Sequence, residues 1–495
     1  MIIYDQGKIL DVSENFGESD ASLLLKLLEC EDYERAKDLA MKMLKNHPIN
    51  CEIMQLLGAI YSKEKNFDAA IDILKKAVAI EPENPNNYTN LSLCYSNKGC
   101  KEEAVKNAEK AVELNSDPVY LNNLGVQYKN CDMPEKAIKV FRGMMTKVLD
   151  PYSISNMAAA YTDILDIDTA IKYLKAAINM AKDLNGAHVN LALCYHLKGM
   201  HDEAWREYEY RLDYFAQLVA YLKKFGVEKK WNGKDSLEGK RVLLFCEQGY
   251  GDIIQFIRFI PYLKIRGCHI IACCPLPLIS LIEPLVDEVL CKELIRSIPT
   301  PLYDYHIPTM SLPYLLKIST DKLRTYYNDF KFEPYPIKKT DKLKVGICWQ
   351  GSKKHLDDRK RSVDLNKFYE VSQLPNIQLY SLQKDIGNPA ELKMMNVINH
   401  MDDVGDFKDT AHLIAAMDMV ISVDTAVLHL AGAMEKKAWC LLAYKPDWRW
   451  ELDKFSTIWY PSVRLIRQKK RGDWSSVFDE VTNTLTLFSS QLPLP

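Results

Sequence analysis

Small and apolar residues in the first part of the chain recur at a fixed long interval. An Ala returns at Ala36, Ala70, Ala104, Ala137, Ala170 and Ala204, with spacings of 34, 34, 33, 33 and 34. A Tyr returns at Tyr61, Tyr95, Tyr128, Tyr161 and Tyr195, every 33 or 34 residues. Ahead of each Tyr stands a compact pair: Leu57-Gly58, Leu91-Ser92, Leu124-Gly125, Met157-Ala158 and Leu191-Ala192. Such a period predicts stacked hairpins of two helices, each about 12 residues long. The small residues permit close helix crossing, and the Tyr fills the space between neighbours. Stacking then buries the face that a single hairpin leaves exposed. Pro48 and Pro82 mark two repeat ends, where proline stops a helix.

From Lys240 the pattern changes to short apolar runs separated by turns and helices. Residues 242–246 and 269–274 read as buried parallel strands, joined by a Gly-rich turn at 247–252 and a helix over 253–263. This is a βαβ unit. A polar stretch at 331–341, carrying Pro334 and Pro336, reads as a linker. Strands are predicted at 343–349, 378–382, 419–422 and 438–442, and helices at 409–416, 425–434 and 474–488. Two such halves around a linker predict facing Rossmann-like domains with a cleft between them.

The repeats resemble a tetratricopeptide-repeat (TPR) array over about residues 17–215, with five clear copies and a partial first one that lacks the Tyr. The resemblance implies a concave face that holds a protein segment. Asn90, Asn122, Asn123, Asn156 and Asn190 recur on the first helices. Asn123, Asn156 and Asn190 each lie five residues before the repeat Tyr. Such a ladder can hydrogen-bond an extended peptide backbone without reading its sequence; a plain solvated face is the alternative.

Composition narrows the partners. Of 495 residues, 47% are hydrophobic and 26% charged, which excludes a mainly disordered chain. Lys plus Arg less Asp plus Glu is 64 − 66 = −2, so no long-range field draws nucleic acid or anionic lipid. The 13 cysteines include no C-x-x-C pair, and no signal peptide precedes them, which reads as reduced thiols in a cytosolic protein. Cys94 and Cys194 share one repeat position, which favours packing. The most apolar stretch, 270–286, is broken by Pro275, Pro277 and Pro284 and is too short to span a bilayer.

The chemistry concentrates in two segments. In Ser422-Val423-Asp424-Thr425-Ala426-Val427-Leu428-His429 a buried strand runs straight into a helix, with Asp424 as the expected N-cap. The amides of Thr425, Ala426 and Val427 would then point from the carboxyl end of a parallel sheet, where a diphosphate binds. Residues 422–433 resemble the donor segment of the heptosyltransferase-like group of GT-B glycosyltransferases, although that group often has Gly where Ala426 stands here. The resemblance implies that His429 contacts the diphosphate. The turn Glu247-Gln248-Gly249-Tyr250-Gly251-Asp252 resembles the Gly-Asp turn of the same enzymes, which makes Asp252 the catalytic base. A carboxylate there can remove the proton of an acceptor hydroxyl as attack begins. A cap on the next helix is the simpler role for Asp252. Gly249 and Gly251 would let the backbone approach the acceptor, with Gln248 beside them.

Supporting candidates surround these two segments. Gln350 and Ser352 follow the first strand of the second domain, and Arg359, Arg361 and Ser362 belong to the charged loop 353–361. Gln383 could bind the nucleotide and Lys384 could neutralise the leaving diphosphate. Arg449 could pair with phosphate and Trp448 could stack on a ring, with core packing the alternative for the tryptophan. The pair Asp166 and Asp168 has D-x-D spacing but falls inside a repeat, and no ligand-spaced cluster occurs in the second half. No metal and no other cofactor is therefore expected, and cations with a helix N-terminus would stabilise the diphosphate.

The expected architecture is an α-solenoid joined to an α/β GT-B fold: an extension at 1–16, repeats at 17–215, a connecting segment at 216–239, an acceptor-side domain at 240–330, a linker at 331–342 and a nucleotide-sugar domain at 343–495. This arrangement also resembles protein O-glycosyltransferases and the bacterial TPR-linked flagellin glycosyltransferases. The resemblance implies metal-independent, inverting transfer from a nucleotide-sugar donor to Ser or Thr of a protein acceptor, in the cytoplasm, by a chain compatible with a homo-oligomer. The rivals are a glycan-directed transferase that uses its repeats for assembly, and a non-catalytic scaffold.

Overall fold

The computed structural model describes residues 18–30, 32–294, 302–319, 331–352 and 358–490. The expected extension at 1–16, the domain end at 330 and residues 353–357 of the charged loop lie outside the described residues. Two compact units divide the chain, Met1–Ala187 and His188–Pro495.

The first unit is a run of antiparallel helix pairs from Glu18–Glu29 to Ile167–Met180. Their starts are chemically marked. Asn50, Asn66, Asp150 and Asp166 each accept a first-turn amide, and Pro85, Pro118, Pro134 and Pro151 occupy the first turn, where a missing N–H costs nothing. Ala36, Ala70, Ala104, Ala137 and Ala170 are fully buried at the crossings. A Cβ on Gly58 would meet Leu74 at 2.7 Å, and one on Gly125 would meet Phe141 at 2.5 Å, so these glycines set how closely the helices pack. Asp166 of the D-x-D pair is a helix cap that accepts from Thr169 N at 3.2 Å. Cys94 is buried within the array.

The second unit begins within the helix Asn185–Leu197. The helix His201–Tyr208, which carries Ala204, lies within it, followed by helices Arg211–Tyr214 and Ala216–Phe225. Two parallel sheets come next. The first contains β1 (Arg241–Phe245), β2 (His269–Cys274), β3 (Glu288–Cys291) and β4 (Tyr305–Pro308), in the order β3-β2-β1-β4. The second contains β5 (Leu343–Cys348), β6 (Ile377–Ser381), β7 (Ile398–Asn399), β8 (Met419–Val423), β9 (Ala438–Leu442) and β10 (Val463–Arg467), in the order β10-β9-β8-β5-β6-β7. Both are all-parallel and helix-covered, as the near-continuous apolar strands require. Strand order reverses at β1 and at β5, and in such sheets ligands bind beyond the carboxyl ends at that reversal. The fold is an α-solenoid with a GT-B-type pair of α/β domains.

Strands β3, β4, β7 and β10 were absent from the sequence expectation. β3 is only half-buried, β7 has two residues, and β10 interleaves Arg464 and Arg467 with its apolar residues. The helix expected over 253–263 starts earlier, at Tyr250, and breaks. Tyr250–Phe256 gives way to a tighter turn at Ile257–Phe259 and then to Ile260–Lys264. Pro261 has no N–H to continue the ladder. Among the described residues no helix is long and apolar enough to cross a membrane.

Candidate active site

The turn after β1 is held from beneath by charge. Glu247 is 1% exposed and receives Arg211 through Nε at 3.0 Å and Nη2 at 2.6 Å, and also Met310 N at 3.0 Å. Arg211 is fully buried. Burial opposes its charge, but Glu247 and Glu209 outweigh burial and push the guanidinium above its usual range. Gln248 takes the left-handed conformation with φ +63°, which a non-glycine residue adopts only when held; its Nε2 donates to Tyr208 Oη at 2.7 Å. The chain then enters the Tyr250–Phe256 helix, and Asp252 Oδ2 accepts Gly249 N at 2.9 Å. Asp252 therefore does cap its helix, but its other oxygen is turned outward and binds Arg449 Nη2.

The helix after β8 spans Ala426–Ala433, and its N-cap is Thr425 rather than Asp424. The Thr425 hydroxyl bonds Ser422 Oγ at 2.9 Å and Cys348 Sγ at 3.7 Å, so no cap side chain accepts the first helical amides. Asp424 turns instead to His429, with Oδ1 3.7 Å from Nε2. Burial works against the Asp424 charge, but His429 and Arg361 overcome it and hold the carboxyl at about 2. His429 Nδ1 is bonded to Tyr460 Oη at 2.8 Å, and the ring stacks on Trp450 and is 5% exposed. Both ring nitrogens of this imidazole thus face protein groups among the described residues.

The two helix starts touch. A Cβ on Gly251 would lie 2.6 Å from His429 Cδ2 and 3.4 Å from Ala426 Cα. The absence of a Cβ on Gly251 thus lets the helices meet. Arg449 closes the same junction. Its Nε donates to Gln255 at 2.5 Å, Nη1 donates to Asp447 at 2.7 Å, and Nη2 pairs with Asp252. Burial opposes the guanidinium charge, while Asp252 and Asp447 raise its pKa above the usual range. Trp448, expected as a stacking platform, is 5% exposed and packed against His196 at 4.2 Å and Trp205 at 5.6 Å, so core packing accounts for it.

The loops of the second sheet are tied internally. Gln383 Oε1 accepts Trp349 N at 3.2 Å and Gln350 N at 2.9 Å, which fixes the loop after β5 and commits that oxygen. Gln350 is half-buried and Ser352 exposed. Lys384 Nζ donates to Val404 O. Asp358 Oδ1 pairs with Arg361 Nε at 3.5 Å and accepts Ser362 Oγ at 2.9 Å, and Ser362 Oγ accepts Gly351 N at 2.9 Å. In the first unit Asn156 Nδ2 donates to Asn122 Oδ1 at 3.2 Å and Asn123 Oδ1 accepts Gln127 Nε2 at 3.1 Å. Asn90 is 8% exposed, and Asn190 is half-buried in the second unit. Among the described residues no group of three or more His, Cys, Asp or Glu could hold a metal ion.

Comparison with known proteins fits these two halves. Residues 390–461 match glycosyltransferase family 9 (heptosyltransferase), and residues 52–84 and 85–118 match the tetratricopeptide repeat. The family 9 match falls in the α/β part of the chain and the repeat matches in its helical part. The family 9 match contains Asp424, Thr425, Ala426, His429 and Arg449 but does not extend to Asp252. Protein FlbA of Caulobacter vibrioides is 23% identical over 370 residues, 66% of this chain and 60% of FlbA, so the chain spans about three fifths of that relative's length. Hsp70-Hsp90 organizing protein 2 of Arabidopsis thaliana is 34% identical over 64 residues, 13% of this chain and 11% of that protein. Among solved structures, a thermophilic TPR protein of Thermus thermophilus is 21% identical over 36% of this chain and 97% of its own, with a TM-score of 0.32.

The residues around this junction include several that sequence patterns did not reveal. Arg211, Tyr208 and Gln255 position the turn, Asp252 and Arg449, while Arg258 donates to Trp459 O at 2.9 Å and ties the first sheet's helix to the second domain. Their partners lie 36 to 201 residues away in sequence, beyond any local motif. The nearest signal is the cluster of charged residues among the aromatics of 205–215 and the lone Arg258 within the apolar run 256–260.

Proposed function

We propose that the chain transfers a sugar from a nucleotide-activated donor to a Ser or Thr hydroxyl of a protein recruited by the repeats. The observation that carries this reading is the meeting of Asp252 and Arg449 beside the uncapped start of the Ala426–Ala433 helix. A carboxylate, a guanidinium and free amides are what direct displacement at a sugar phosphate needs. Asp252 takes the acceptor proton, the acceptor oxygen attacks the anomeric carbon, and the bond to the diphosphate breaks on the opposite face, with inversion. The amides of Ala426 and Val427, with Arg449, receive the leaving charge without a metal. Flagellin is the acceptor to try first, because the sequence resembles TPR-linked flagellin glycosyltransferases.

The test uses the full chain. Replacing Asn123 and Asn156 by Ala together should raise the KM for a protein acceptor about tenfold or more while donor turnover stays as in the unmodified chain. Unchanged acceptor kinetics would remove the ladder from the reading. The word heptosyltransferase in the matched family favours a second reading, transfer to a glycan. Deleting residues 1–187 separates the two, since glycan transfer would survive and protein transfer would not. The cut must precede His188, because Tyr208 and Arg211 hold the Glu247 turn.

A further inference from the structure

The function proposed above assigns Asp252 to the acceptor and Arg449 to the donor, and in the structure the two groups are bonded to each other. We infer that Arg449 exchanges partners during turnover: it holds Asp252 while the donor is absent and moves to the diphosphate when the donor binds, which releases Asp252 to act as base. This inference rests on that donor reading. The guanidinium is held for such an exchange. Nε is fixed by Gln255 and Nη1 by Asp447, both at hydrogen-bond distance, so the plane stays in place while Nη2 alone faces Asp252. Gly251, next to Asp252, lies against Ala426, so the exchange takes place beside the helix start that would receive the phosphate. A diphosphate carries more charge than a carboxylate and offers several acceptor oxygens, so it competes well for a guanidinium. While Oδ1 of Asp252 is bonded to the guanidinium it is not open to an acceptor hydroxyl, and the departure of Nη2 frees it. The consequence is order: the base is armed only after the donor is seated. Asp252 is one-fifth exposed, enough for an acceptor hydroxyl to reach it once the pair opens.

Binding of UDP, GDP, ADP and dTDP to the full chain, measured by calorimetry, tests the exchange. Asp252→Asn removes the competitor for Arg449 and can still accept Gly249 N through its amide oxygen. It should bind the preferred nucleotide about three- to tenfold tighter than the unmodified chain. Asp252→Ala should show the same tightening, so the result does not depend on one side chain folding well. Arg449→Gln should weaken binding about tenfold or more, and adding Asp252→Asn to it should change nothing further, since the two act through one contact. An Asp252 variant that binds no tighter, or effects that simply add, would overturn the exchange while leaving the donor site intact. If none of the four nucleotides binds the unmodified chain or Asp252→Asn, the donor reading falls and the exchange with it.

Discussion

Each of the two compact units has an apolar core, but they differ in where they place their ion pairs. In the repeats the crossings hold Ala, Gly and Leu, and ion pairs such as Lys98–Asp68 and Lys110–Glu113 lie at the surface. In the second unit charge is placed inside: Arg211 with Glu247, Arg258 with the Trp459 carbonyl, Arg449 with Asp252 and Asp447, and Asp424 with His429. Repeats add up their own stabilities and those of their interfaces with neighbours, so stability is spread along the array. Buried charges depend on a few specific partners, and losing one leaves an uncompensated ion.

Breaking the charged support of the turn should have the largest effect. Glu247→Gln leaves Arg211 fully buried without its principal partner and should lower stability by about 3 kcal/mol or more, read from urea unfolding of the full chain. Next comes the paired glycine test. Gly125→Ala and Gly251→Ala each place a Cβ closer than 2.7 Å to a neighbour, Phe141 or His429, and each should cost about 1–3 kcal/mol. Only Gly251→Ala should also slow sugar transfer, because it separates the helix starts that bear Asp252 and Ala426. Equal loss of transfer in both variants would break the contrast.

A pH test follows in size. Burial, assisted by the charges of His201 and Arg449, holds His196 well below its ordinary 6.5, and the ring sits between His201, Trp205, Tyr208 and Trp448. The folded chain then binds fewer protons here than the unfolded one. Stability is complete above about pH 6.5 and falls below it, by up to about 1.4 kcal/mol per unit for this one group. His196→Gln should flatten that slope in melts between pH 5 and 7. The smallest effect belongs to the exposed Lys98–Asp68 pair, where Asp68→Asn should leave the unfolding midpoint unchanged.

The same contrast governs what could be read in advance. The Ala and Tyr periods predicted the helix pairs because each repeat carries its own local signal, and the strands β1, β2, β5, β6, β8 and β9, buried at all or all but one position, stood out as apolar runs. Half-buried β3 and the arginine-bearing β10 blurred that signal. Asp252 and Arg449 were both legible as charged residues at strand ends, but their bond, across 197 residues, was not. The Asp424 cap was misjudged because Asp favours such positions in general, whereas here the buried His429 claims its carboxylate and Thr425 takes the cap.

The central claim is that Asp252 serves as the base in transfer from a nucleotide sugar. It is tested most directly by incubating the full chain and Asp252→Asn with a nucleotide-sugar panel and an acceptor, and following released nucleotide by mass spectrometry. The unmodified chain should release one nucleotide as the acceptor gains the sugar, and Asp252→Asn should do so about 100-fold or more slowly. Equal rates in the two proteins, or no nucleotide released from any donor, would contradict the account.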